Sequence, residues 1–229
     1  MRDGIGPADA LVIVDPQNDF CPGGALAVAG GDEIMGGIVE LAMRFRAAGA
    51  LIVVTQDWHP QRHQSFASSH EGAEPFGTAQ MPYGEQVLWP DHCVEATPGA
   101  EFHPALRGAV DAAHLVVRKG YNPAVDSYSA FFENDKATST GLGGWLKDKG
   151  VRRCFFVGLA YDFCVAYSAL DAARRLGLEA VVLKDLTRAI AMPAGAGTTV
   201  DAAEASFREA GVAVADSREI APEALPYSS

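Results

Sequence analysis

The sequence predicts an α/β fold: a three-layer, doubly wound sheet of six parallel strands. Two observations predict it. Short, β-branched, largely apolar runs recur along the chain, and stretches with helical apolar spacing lie between them. Strands without polar alternation need cover on both faces, and alternation with helices provides it.

The first run is Ala10 to Val14. Asp32 to Ala48 follows as a helix, with Ile34, Ile38, Leu41, Ala42 and Phe45 at helical spacing and Gly49 as its stop. The second strand is Leu51 to Thr55 and the third Leu115 to Arg118. Between them, Asp57 to Ala113 is rich in Pro, Gly and His, lacks periodicity and far exceeds a usual connection, which marks a functional loop. A helix over Leu142 to Lys149 leads to the fourth strand, Cys154 to Val157. A helix over Phe163 to Leu176 leads to the fifth, Ala180 to Leu183, and one over Thr199 to Ala210 to the sixth, Val212 to Val214. One domain, with a core over about residues 9–217, accounts for the 229 residues; disorder is expected for the first few residues and those after Pro222.

A net charge of -11 argues against nucleic acid or an anionic membrane surface as partner, since both would be repelled. A small neutral molecule fits better, and self-association into a homo-oligomer is compatible with the composition. The start of the chain lacks a signal-like apolar region and no long apolar run exists, so a soluble cytoplasmic protein is expected. Cys21, Cys93, Cys154 and Cys164 form neither a CxxC zinc site nor a disulfide scaffold.

Ligands of open parallel sheets bind beyond the carboxyl ends of the strands, so polar residues there carry the functional argument. The first strand delivers Asp15, the second Asp57 and His59, the third Lys119, and the fourth leads into Cys164. Asp162 is a plausible N-cap that would place Cys164 in the first turn of a helix, whose positive end favours a thiolate. Alone, Cys164 reads as a small buried hydrophobe and Asp15 as a loop cap; together with Lys119 they make a charged pair beside a thiol. Asp57 and His59, two apart on extended chain, point the same way as two ligands of one ion must, and His92 is the natural third. Zinc, iron and manganese all accept this donor set. His63 is a fourth ligand or a supporting residue, whereas His70, His103 and His114 read as surface or loop residues.

These residues lie in VDPQNDFCPGGALAV (Val14 to Val28), TQDWHP (Thr55 to Pro60), HQSF (His63 to Phe66), WPDHCV (Trp89 to Val94), RKG (Arg118 to Gly120), YSAF (Tyr128 to Phe131) and GLAYDFCV (Gly158 to Val165). In that order they resemble the isochorismatase-like cysteine hydrolases over nearly the whole chain. The resemblance implies strand order 3-2-1-4-5-6, a triad of Asp15, Lys119 and Cys164, and a divalent transition metal, zinc foremost, on Asp57, His59 and His92. It also implies a cis peptide between Leu159 and Ala160, an oxyanion hole from the Ala160 and Cys164 amides, and a ring pocket of Phe20, Leu26, Trp89 and Tyr128. The implied reaction is hydrolysis of a small aromatic carboxamide such as nicotinamide or pyrazinamide. A sister amidase acting on carbamoyl or ureido substrates and a non-catalytic metal or redox module are the alternatives. Tyr161 stands where many relatives have Thr, Ser65 where some carry a further histidine ligand, and the connection from Lys119 to Tyr128 is slightly longer than in some.

Overall fold

The computed structural model describes residues 4–220; the terminal segments expected to be disordered fall largely outside that range. In chain order the strands are β1 (Asp9–Val14), β2 (Leu51–Asp57), β3 (Thr78–Met81), β4 (Gly84–Val87), β5 (Leu115–Lys119), β6 (Arg153–Leu159), β7 (Glu179–Arg188), β8 (Pro193–Ala194), β9 (Gly197–Thr198) and β10 (Ala213–Ala215). The helices are α1 (Met35–Ala47), α2 (Arg107–Asp111), α3 (Leu142–Asp148), α4 (Ala166–Leu176) and α5 (Thr199–Ala210).

Six strands form one sheet in the order β10-β7-β6-β1-β2-β5, with every pairing parallel. Numbered within the sheet alone, this is 3-2-1-4-5-6 read from the far edge. The apolar runs predicted this because the central strands are buried along their length: β1 and β6 show no exposed residue. The helices of the crossovers supply the cover, as Ile38, Leu41, Ala42 and Phe45 of α1 do. Among the described residues no helix is long and apolar enough to cross a membrane.

The differences from expectation lie at the ends of elements and in the long loop. Helix α1 starts at Met35 instead of Asp32, because no side chain caps an earlier turn. The aperiodic segment contains the β3–β4 hairpin and the short α2, and β8–β9 forms a second small hairpin after β7. The helix expected from Phe163 begins with a wide turn over Tyr161–Val165, in which Val165 N–H reaches back five residues to the Ala160 carbonyl, and regular helix follows from Ala166.

That turn is set up by Gly158, where the β6–β7 register shifts after Phe156. Gly158 has φ of 103°, and a Cβ there would overlap the Val14 carbonyl on the neighbouring strand. Left-handed backbone and direct contact with β1 thus both require glycine. Gly158→Ala should therefore cost roughly 3 kcal/mol of stability in urea unfolding followed by circular dichroism.

Candidate active site

Sheet order places the functional side chains in a row. Moving across β5, β2, β1 and β6, the carboxyl ends present Lys119, Asp57, Asp15 and the turn that carries Cys164. Asp57 and Lys119 are register partners. The Gln17 side chain brackets Asp57 by donating to its carbonyl at 2.7 Å and accepting from its amide at 2.7 Å, which fixes the end of β2 against the segment after β1.

Lys119 is 1% exposed. Its ammonium donates to Asp57 Oδ1 at 2.5 Å, to the Ser127 carbonyl at 2.8 Å and to Cys164 Sγ at 3.6 Å. Asp15 Oδ2 also lies 2.8 Å from Nζ, a charge-assisted contact with the ammonium. The other carboxylate oxygen, Oδ1, accepts from the Thr55 hydroxyl at 2.6 Å. One oxygen of Asp15 is thus held and the other keeps a free lone pair. Carboxylate oxygens of Asp15 and Asp57 and the Cys164 sulfur lie within 4.8 Å of one another.

Burial, followed by the charge of Asp57, raises the Asp15 pKa to about 6 against the opposing pull of Lys119. Burial would also raise Asp57, but Lys119 and His59 outweigh it and hold Asp57 below the usual carboxylate range. Burial opposes the charge on Lys119, and the two aspartates overcome it and keep the ammonium protonated. The Cys164 thiol is pushed well up by burial, with Lys119 pulling the other way. Burial thus favours the neutral thiol against the pull of Lys119, beside a carboxylate oxygen able to take its proton.

The structure also corrects the role of Asp162. The turn of Cys164 is preceded by Ala160 and has no side-chain cap. Asp162 lies inside it and turns away, accepting from Ile190 N at 3.0 Å, Ala191 N at 2.8 Å and Thr199 Oγ1 at 2.5 Å. The peptide between Leu159 and Ala160 is cis.

Asp57, His59 and His92 form one buried cluster with ligand atoms within 4.8 Å of one another. Each imidazole is set by a backbone carbonyl: His59 Nδ1 donates to Gly120 O and His92 Nδ1 to Pro90 O, both at 2.8 Å. Both rings therefore carry the lone pair on Nε2. His59 Nε2 is buried without a hydrogen-bond partner, 3.7 Å from Asp57 Oδ2. Burial disfavours a charged His59, but Asp57 outweighs it and raises its pKa, while burial and His59 lower His92 to about 4. An unpartnered nitrogen beside a carboxylate attracts a cation, and these donors suit a divalent transition ion. His63 has no free lone pair, since Nε2 donates to the Asn122 carbonyl and Nδ1 accepts from Ser65 N and Oγ. In this bonding it supports the site and Ser65 supports it, while its ligand atom also lies within 4.8 Å of those of His59 and Asp126, a second buried group able to hold an ion. His103 and His114 lie in turns or at the surface, as expected, and His70 is bonded to the Gln64 carbonyl.

A small, narrow cleft joins the two groups. Phe20, Leu26, Trp89, Tyr128 and Ala160 line it beside Asp57, His92 and Cys164. Trp89, Tyr128 and Phe163 meet edge to face, with centroids 4.9–6.1 Å apart. The sequence reading missed Phe163, Asp126 and Ile190, which also line the cleft, and Gln86, which donates to Tyr128 Oη at 2.6 Å. Tyr161 turns away from the cleft, packing on Phe207.

Gly120 has φ of 68°, and a Cβ there would overlap the His59 ring. Gly120→Ala should thus weaken the affinity of this cluster for a divalent transition ion by about 10–100-fold, probed with added zinc by dye competition, while the far-ultraviolet dichroism is retained.

Residues 9–219 match the family described as isochorismatase domain. The nicotinamidase of Acinetobacter baylyi is 53% identical over 183 residues, covering 80% of this chain and 82% of that protein. Among solved structures, a nicotinamidase/pyrazinamidase of Acinetobacter baumanii aligns with a TM-score of 0.87 at 44% identity, over 93% of this chain and 98% of that one. A pyrazinamidase of Pyrococcus horikoshii, solved in complex with zinc, aligns with a TM-score of 0.70 at 34% identity, over 92% and 99%.

Proposed function

This chain belongs to the isochorismatase-domain family, and from that premise we propose that it is a nicotinamidase and pyrazinamidase, hydrolysing these carboxamides to the ring acid and ammonia through a thioester on Cys164. The observation that carries the reading is the free lone pair of Asp15 Oδ2, placed beside a buried thiol and a buried ammonium at the floor of an aromatic cleft. The names of the relatives supply the substrate, and the small apolar cleft suits a flat neutral ring.

Phe20, Leu26, Trp89 and Tyr128 hold the ring, so that the carboxamide carbon lies over Cys164 Sγ and orientation precedes bond making. Asp15 Oδ2 takes the thiol proton as sulfur attacks, and the carbonyl electron pair moves onto oxygen. The amides of Ala160 and Cys164 stabilise that oxyanion. Asp15 returns its proton to the amide nitrogen, the C–N bond breaks and ammonia leaves. Water, losing a proton to Asp15, then attacks the thioester; the C–S bond breaks and the thiol regains the proton. Through both halves Lys119 directs one N–H at the sulfur and holds Asp15 at ion-pair distance. Asp57, His59 and His92 would hold a divalent ion, zinc by likeness to the Pyrococcus horikoshii enzyme. When bound, such an ion supplies an electron-pair acceptor for the ring nitrogen.

Cys164→Ala should lower ammonia release from nicotinamide by at least about a thousandfold without changing fold or metal content. Survival of a larger rate would exclude the covalent route.

Asp15 acts as a base only when ionised, so kcat/KM should fall as pH drops through about 6. Thr55→Val removes a hydrogen bond that lowers the Asp15 pKa, and the acid limb should move to higher pH. An unmoved limb would assign it to another group.

Benzamide has the substrate's shape without the ring nitrogen. Chelation or His59→Ala should erase the preference for nicotinamide, a loss of about 1–3 kcal/mol in the ratio of kcat/KM values. An unchanged ratio in folded, metal-free protein would remove the ion from ring recognition.

A further inference from the structure

The connection from β7 to α5, residues 189–198, is a strap that crosses beside the cleft. It is closed on itself by the β8–β9 pairing and by the bond from Thr199 N to Met192 O, 2.9 Å long. It contributes one side chain to the substrate cleft, the partly buried Ile190. The backbone on either side of that side chain is tied to the nucleophile turn by a single carboxylate. Asp162, 5% exposed, accepts from Ile190 N, from Ala191 N and from Thr199 Oγ1. Ala191 has φ of 58°, a conformation costly to a residue with a Cβ and one that presents both amides to the same acceptor.

A carboxylate needed only to end a loop would satisfy one or two neighbouring amides within its own segment. This one reaches 28 and 29 residues away to the two amides and 37 away to the hydroxyl. It also sits two residues before Cys164. Sulfur and Ile190 are thereby held at a fixed separation across the cleft.

We propose that Ile190 is a specificity-determining residue, which limits the size of ring substituents, and that Asp162 is a positioning residue that latches Ile190 to the nucleophile turn. The substrate class this admits is the small, neutral, planar heteroaromatic carboxamide without a substituent on the ring edge that faces Ile190. The inference rests on the amidase reading for its substrates but not for its geometry.

The test uses nicotinamide and its monomethyl derivatives, with a methyl at each free ring carbon in turn. Two quantities are read: kcat/KM of each derivative relative to nicotinamide, and the dissociation constant of nicotinamide divided by that of the derivative on the Cys164→Ala protein, where turnover plays no part. Ile190→Ala should raise both ratios for at least one methyl isomer by about tenfold, the discrimination one methyl-sized group commands in an apolar pocket. Asp162→Asn should favour the same isomer, change KM more than kcat, and speed hydrogen exchange at the Ile190 and Ala191 amides. The double variant should add little to Ile190→Ala, because both changes relieve one constraint. Thr199→Val removes one of the three bonds and should give a smaller shift in the same direction, even where Asp162→Asn folds poorly.

Unchanged ratios for every isomer in Ile190→Ala would overturn the specificity role. An Asp162→Asn protein with all substrates slowed equally and ratios fixed would overturn the latch. Absence of ammonia release from nicotinamide by the wild-type protein would sink the amidase reading instead, and the binding ratios and amide exchange would still decide this one.

Discussion

The ammonium of Lys119 is the charge around which the carboxyl end of the sheet is assembled. A buried ammonium without partners would cost several kcal/mol, and this one is repaid by Asp15, Asp57 and the Ser127 carbonyl. Each partner comes from a different segment, and the sheet order sets them side by side. Two carboxylates around one ammonium leave an unbalanced negative charge, which falls beside the unpartnered His59 nitrogen. The same lysine therefore touches the base and the thiol on one side and a candidate metal carboxylate on the other. Asp15 Oδ2 lies against that ammonium and still has a lone pair to take a proton. A general base needs that arrangement: held, charged near neutrality, and free to accept.

The metal half of the site follows a parallel logic, with backbone in place of ions. Carbonyls of Gly120 and Pro90 fix the two imidazoles in one tautomer and turn both Nε2 lone pairs toward Asp57. Gly120 must also lack a side chain so that the His59 ring can lie against it, which ties the residue after Lys119 to the geometry at the end of the neighbouring strand β2. The candidate metal cluster and the catalytic group therefore lean on consecutive residues, Gly120 and Lys119, that do different jobs.

Much of this was legible in the sequence. Asp15, Asp57, Lys119 and Cys164 stand out because each lies at or just beyond the end of a largely apolar run, and the sheet topology then brings those strand ends to one rim. Phe20, Leu26, Trp89 and Tyr128 were reached through resemblance alone, since an aromatic in an irregular segment reads equally as core. Asp162 was misread because capping rules weigh neighbours in sequence, whereas its partners lie in the strap. Asp126, Gln86 and Ile190 sit in stretches without periodicity, where position in the chain carries no information about which cavity a side chain meets. The β3–β4 hairpin left a weak signal, a Pro-Tyr-Gly turn between short polar strands, too slight to separate from loop.

The central claim is that the relay of Asp15 and Lys119 serves to make Cys164 a covalent nucleophile. Partitioning by hydroxylamine tests it most directly, because a thioester transfers its acyl group to that amine even when it never accumulates. Turnover of nicotinamide in rising hydroxylamine should divert product from nicotinic acid to the hydroxamate, and rapid acid quench should leave a nicotinoyl mass on the peptide containing Cys164. Nicotinic acid as sole product at every hydroxylamine concentration, with no adduct on that peptide, would contradict the account.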